Sequence, residues 1–282
     1  MPDPVPPPAG APALSRRRLL TGMAGLGGIA ALGGAGYAVM PDSLRIRLGW
    51  GPDPYIPDAP EGQVHLETVA SQARGHDVNL FTAVPHGYGD GAGLPVVVVL
   101  HGASATAADF EPFGLARFLT AAVEAGTEPF ALAGADGGAQ SWEPDRATGD
   151  DPRRMVIEEM PGWLDDRGYD SGRRALWGWS MGGYGALRIA ELDPGWARAV
   201  AAFSPAVGIG DAVFDAVAAL APTPLAVWCG TEDALYRSVR ALVDSLPRRP
   251  EIVSYGDGGH TRVFWNDQTL EAFDFLGRHL QI

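Results

Sequence analysis

Cysteine is almost missing from this 282-residue chain: only Cys229 is present, so no intramolecular disulfide can form in any compartment. It sits in the apolar run PLAVWCG and reads as a small buried hydrophobe rather than a thiol nucleophile. Positive charge is also scarce, with 21 Lys and Arg against 34 Asp and Glu, a net charge of −13 and a pI near 4.8. Nucleic acid and anionic membrane surfaces both favour basic patches, so neither is expected as the main partner; the acidity serves solubility. The chain contains no HExxH pair, no paired CxxC and no P-loop, which leaves metalloenzyme and NTPase readings without support. Internal repeats are absent too. One glycine pattern is a decoy: GLGGIA, residues 25–30, fits G-x-G-x-x-A but follows three arginines instead of a β-strand, so it is not a dinucleotide site.

What is present has ordinary globular proportions, 46% hydrophobic and 20% charged. The length suits one α/β domain with a core that needs no covalent staples. Residues 1–40 stand apart. A Pro/Ala-rich start leads into Ser15-Arg16-Arg17-Arg18-Leu19-Leu20 and then an apolar Gly/Ala stretch, the layout of an export signal. Paired arginines directly before the apolar run resemble the twin-arginine signal, which implies bacterial export of a folded protein to the envelope or the exterior. Cleavage after Ala38 fits the small-residue preference; without cleavage, residues 19–40 form a membrane anchor. Loss of residues 1–38, which carry three Arg and one Asp, leaves a net charge of −15. Residues 41–63, with prolines at 52, 54, 57 and 60, read as an extended linker, and the compact domain is expected over 64–282.

From Val64 onward, strand-like and helix-like runs alternate. VHLETVAS and HDVNLFTAV have the period of half-buried strands, whereas LPVVVVL is a continuous β-branched run of the kind buried on both faces. A helix is expected around 107–125, then the strand PFALAGAD and helical spacing through PRRMVIEEMPGWLDDRG. RRALWGWS, ARAVAAFSPA, TPLAVWCG and PEIVSYG follow as strands, with helices at GGYGALRIAELDP, near 234–246 and near 267–279. Such alternation predicts a mostly parallel sheet flanked by helices, with antiparallel strands at its N-terminal edge.

Gly178-Trp179-Ser180-Met181-Gly182 falls between a predicted strand and a predicted helix and fits G-x-S-x-G. In a nucleophile elbow the serine occupies a strained turn that lifts its hydroxyl above the sheet edge, and small residues on either side let strand and helix pass. The helix N-terminus behind it favours developing negative charge. A serine needs a base. Of the six histidines, His260 in YGDGGHTRVFW follows the last predicted strand and comes last in chain order; His65, His76, His86 and His279 have no such placement. The orienting acid should fall between them after another strand, where AVWCGTEDALY offers Asp233, with Glu232 in reserve. Asp233 is favoured because it stands three after Gly230 and just before a helix; capping that helix is its alternative role. Oxyanion donors are expected from the Met181 amide and, in VVVVLHGASAT, from the Ala103 amide after Gly102, with His101 shaping that loop.

With these residues named, the chain resembles the esterase D/antigen 85 branch of the α/β-hydrolase superfamily. GWSMGGYGALRIAELDPGWARAVAAFSPA resembles the elbow, helix and following strand of that branch, and GGHTRVFW its histidine loop, with an aromatic five residues on at Trp265. LHGASAT and ADGGAQSWEP fit as well, and the likeness runs from about Val64 to the C-terminus. It implies an α/β-hydrolase fold and hydrolysis of a carboxylic ester, small-molecule, carbohydrate or lipid, through an acyl-serine intermediate without cofactor. Carried over by position, Ser180 is the nucleophile, His260 the base and Asp233 the acid, with Ala103 and Met181 the oxyanion donors. Some members pass the acyl group to a sugar hydroxyl, so an acyltransferase shares every catalytic part; a non-catalytic cell-wall protein on the same fold is the rival from another class. Residues 207–223 are too few for a substantial cap, which predicts an open site.

Overall fold

The computed structural model describes residues 52–281. The export signal, the alternative anchor and the first part of the linker lie outside the described residues. Eight strands form one sheet in the order β1-β2-β4-β3-β5-β6-β7-β8. They are β1 Val64–Ser71, β2 His76–Ala83, β3 Pro95–Leu100, β4 Ala131–Ala135, β5 Asp170–Trp179, β6 Val200–Phe203, β7 Leu225–Trp228 and β8 Ile252–Ser254. β1 and β2 are antiparallel at one edge, and every pairing from β4 across to β8 is parallel. This is the mixed sheet expected from the alternation of runs.

Side-chain alternation divides the core. Val96, Val98 and Leu100 of β3 face one layer and Val97 and Val99 the other, and all are fully buried, as the unbroken apolar run requires. One face is covered by α1 Leu115–Glu124 and by α5 Arg262–Leu280, through Phe118, Leu119, Phe273 and Leu276. The other carries α2 Met160–Asp165, α3 Met181–Leu192 and α4 Tyr236–Ser245, through Leu164, Leu187, Ile189 and Leu242. Only short 3₁₀ turns, Ala212–Phe214 and Val217–Leu220, lie in the stretch between β6 and β7, so this connection forms no helical cap.

Several boundaries differ from the sequence reading, each for a local reason. The helix expected over 107–125 breaks at Gly114, whose φ of 90° ends one turn before α1 begins. The run through Pro161 is not uniform: residues Met155–Glu159 form a π turn ahead of α2. Proline has no N–H to return to the fourth carbonyl upstream. That carbonyl, of Ile157, instead accepts the Trp196 indole N–H at 3.3 Å. The last helix starts at Arg262 rather than near 267, because Thr261 caps it by accepting from the Phe264 amide at 3.5 Å. The prolines of 52–63 do prevent helix and strand, yet the segment is laid against the domain. Ile56 packs on the α1 and α5 face, Ala59 O accepts from Arg117 at 3.2 Å, and Tyr55 O accepts from Asn266 at 2.7 Å.

Candidate active site

β5 ends at Trp179 and α3 begins at Met181, so Ser180 alone makes the turn between them. Its backbone, φ 55° and ψ −121°, lies where an L-residue is strained by about 1–3 kcal/mol. Hydrogen bonds hold it there: its N–H donates to Phe203 O at 2.8 Å, and its carbonyl accepts from Tyr184 at 3.1 Å and Ala206 at 2.9 Å. Two glycines allow the crossing. A β-carbon on Gly178 would lie 2.4 Å from Gly182 O, and one on Gly182 would lie 1.8 Å from Leu100 O. Helix and strands touch backbone to backbone at both points, and the G-x-S-x-G spacing follows from that contact.

Two further strands deliver the partners. Past β7, Asp233 is 5% exposed, and the Gly-rich loop after β8 carries His260 to the N-terminus of α5. The Ser180 hydroxyl lies 2.8 Å from His260 Nε2, and His260 Nδ1 lies 2.8 Å from Asp233 Oδ2. Since a carboxylate only accepts, Nδ1 carries the proton and Nε2 is left with a lone pair facing the hydroxyl. Asp233 Oδ1 accepts from the Leu235 amide at 2.9 Å, so the carboxylate both turns the chain into α4 and meets the histidine. Burial pushes its pKa up, but the hydrogen bond and charge of His260, with the donor from Leu235, outweigh that and hold it below the usual carboxylate value. Glu232, the reserve acid, is exposed, and its amide bonds Gly258 O at 2.9 Å. His260 also stands edge-on to Trp265, with ring centroids 4.9 Å apart.

The loop after β3 is adjacent. A β-carbon on Gly102 would fall 3.4 Å from Ser180 Cβ, which places the exposed Ala103 at the same rim. Among the described residues, neither the Ala103 nor the Met181 amide donates to another protein group. His101 is 1% exposed and belongs to the loop rather than to the Ser–His–Asp cluster. Its Nδ1 donates to Gly102 O at 2.8 Å while Nε2 accepts from the Gly137 amide at 2.8 Å, an arrangement only the neutral ring can make. Burial accordingly pushes its pKa down. The Trp142 indole N–H donates to the His101 carbonyl at 3.2 Å and ties the loop from the other side. Cys229 is buried, and its thiol is pushed up to about 12, chiefly by burial, so it supplies no thiolate. Two contributors have no sequence signal of their own: Ser204, which accepts the Trp265 indole N–H at 3.1 Å, and Trp142. Both act through backbone conformation and tertiary contact.

A mostly parallel eight-stranded sheet with helices on both faces and a serine elbow on its fifth strand is an α/β-hydrolase fold. Within that class the chain belongs to the esterase family: the family described as "Putative esterase" matches residues 71–274. No curated protein sequence matches it. Solved structures that share the fold include the S-formylglutathione hydrolase of Agrobacterium tumefaciens, 16% identical over 80% of this chain and 98% of that one, with a TM-score of 0.65. The feruloyl esterase module of Clostridium thermocellum is 14% identical over 82% and 93%, with a TM-score of 0.67. A ferulic acid esterase of Anaeromyces mucronatus is 19% identical over 81% and 96%, with a TM-score of 0.65.

Proposed function

We propose that this esterase is an exported serine carboxylesterase whose nucleophile is Ser180. The observation that carries the reading is His260, held at 2.8 Å from both the Ser180 hydroxyl and the Asp233 carboxylate. His260 Nε2 takes the hydroxyl proton as Oγ attacks the ester carbonyl, and the carbonyl electrons move onto its oxygen. The Ala103 and Met181 amides receive that oxyanion; such donors are worth about 10²–10³ in rate each. Collapse breaks the C–O bond to the alcohol, which takes the proton from His260 and leaves an acyl-serine. Water then enters, gives its proton to His260, and the same steps in reverse release the acid and regenerate Ser180. Asp233 keeps the imidazole in the Nδ1–H tautomer and stabilises the imidazolium.

Hydrolysis is favoured over transfer to a sugar by the access of water. The His260 side chain is 32% exposed and the β6–β7 connection holds only short 3₁₀ turns, so the acyl-serine would face solvent. Ser180→Ala is expected to abolish turnover of a p-nitrophenyl short-chain ester while leaving the fold intact; retained turnover would refute the mechanism. A panel of p-nitrophenyl acyl esters, acetylated and feruloylated sugars and S-formylglutathione would define the acyl and leaving groups, since the neighbours are named for the last two. Including trehalose as acceptor tests the acyltransferase reading by product mass. Export is checked separately: Arg16→Lys with Arg17→Lys should retain the protein in the cytoplasm, and the exported form should begin at Val39.

A further inference from the structure

Positive charge gathers at one place on this acidic chain, along α4 beside the edge strand β8. Residues 237–249 carry four arginines and one aspartate, a net +3 in a molecule whose total is −13. The grouping works against α4 itself. Arg237 is the second residue of the helix, where the dipole disfavours a cation, and Arg240, one turn on, repels it. Arg240 lies back over the Tyr236 ring, its Cζ 5.8 Å from the centroid, instead of reaching forward to Asp244. Arg248 pairs with Glu251 at 3.8 Å. Among the described residues, the side chains of Arg237, Arg240, Asp244 and Arg249 form no ion pair or hydrogen bond, and all four are exposed. Local rules broken without a partner in the fold point to a partner outside it.

The surface there is concave. One cavity of about 560 Å³ is lined by Tyr236, Arg240, Asp244, Arg249 and Tyr255, among others. A second, of about 540 Å³, shares Tyr236, Arg240 and Asp244 and adds Thr231 and Arg237. Joined through the three shared residues, they make one continuous groove. Tyr236 and Tyr255 meet edge to face, centroids 5.3 Å apart and planes at 90°, so the lining offers aromatic surface as well as charge. An extended ligand carrying carboxylates in series matches the three unpaired arginines. Asp244, unpaired among them, adds an acceptor that suits hydroxyl donors and repels a dense phosphate backbone. None of the large apolar side chains exposed on the described surface lies here, so nothing in the groove would enter a lipid layer. We propose that this groove binds an acidic polysaccharide, a chain of uronic acid sugars, at a site separate from the catalytic one. Tyr236 follows Asp233 by three residues and Tyr255 precedes His260 by five, so a chain seated here lies beside the loops that carry the acid and the base.

Calorimetric titration of the full chain with an oligogalacturonate, beside a neutral xylo-oligosaccharide of the same length, tests this. The acidic chain should bind and the neutral one should not, with an affinity that weakens as salt rises. Arg237→Gln combined with Arg240→Gln should raise the Kd by about 10-fold or more, and Arg249→Gln by a smaller factor. These side chains are exposed, so the variants should melt with wild type, and turnover of a p-nitrophenyl short-chain ester should stay within about twofold. Ser180→Ala should bind the oligogalacturonate as wild type does, so a failure of the catalytic reading would leave this site standing. The proposal is overturned if wild type ignores oligogalacturonate at low salt, if the neutral sugar binds as tightly, or if the double variant binds the acidic chain unchanged. It is overturned equally if oligothymidylate or phosphatidylserine vesicles bind through the same two arginines as tightly as the oligogalacturonate, because the groove would then read charge alone.

Discussion

In the proposed reaction His260 is useful because of what it does not hold: a proton on Nε2. Asp233 enforces that state by accepting from Nδ1, so removing the acceptor while keeping its shape should release the wrong tautomer. Asp233→Asn should lower kcat by about 10³–10⁴ with little change in KM, whereas Glu232→Gln, on an exposed side chain, should stay within about twofold; steady-state kinetics of the two side by side checks the assignment. Ser180 and His260 were legible in the chain because a glycine-flanked serine between a strand and a helix, and a histidine after the last strand, are local patterns. Ser204 was not. In FSPA nothing marks a left-handed serine; its N–H is held by Trp228 O at the end of the neighbouring β7, a partner 24 residues away.

Elements, not residues, bring the three groups together. α3 lies so close to β3 that Gly182 touches the Leu100 carbonyl. Gly182→Ala should therefore push the elbow outward, costing about 1–3 kcal/mol by overpacking; thermal melting and activity should fall together. At the other side, α5 starts immediately after His260 and is capped by Thr261. Thr261→Ala should cost about 0.5–1 kcal/mol and lower Tm by about 2–4 °C. The strand set was readable almost whole, because β-branched runs and period-two alternation are strong signals. Helix starts were less so: α5 begins five residues before the expected position, since apolar spacing locates a buried face but not the cap that ends the loop.

The whole molecule shows its charge through acid sensitivity. Asp233, Glu67 and Asp170 all titrate below their ordinary values, the first held by His260 against the push of burial and the others chiefly by hydrogen bonds from Arg167 and Arg173. A depressed carboxylate stabilises the fold above its unfolded value of about 4, and that contribution is lost as pH falls through the lower folded value. Glu191 and Asp267 have the opposite sign, raised by burial. Glu67 and Asp170 lie in exposed ion pairs that solvent screens, so Asp233 should dominate. Tm should drop as pH falls below about 4, and less steeply in Asp233→Asn; melting curves from pH 2 to 7 check this.

The amino-acid order alone determined the class of fold, the serine elbow, the histidine loop and the pair of neighbouring carboxylates from which the acid is drawn. Each is written in short-range spacing, where strand and helix periods and glycine's lack of a β-carbon act directly. Tertiary structure decided which carboxylate turns inward, that the proline-rich segment of 52–63 is packed rather than free, and that Trp265 stands edge-on to His260 with its indole N–H on Ser204. Those outcomes depend on residues dozens of positions apart meeting where the strands end, and chain order carries no distance across a sheet.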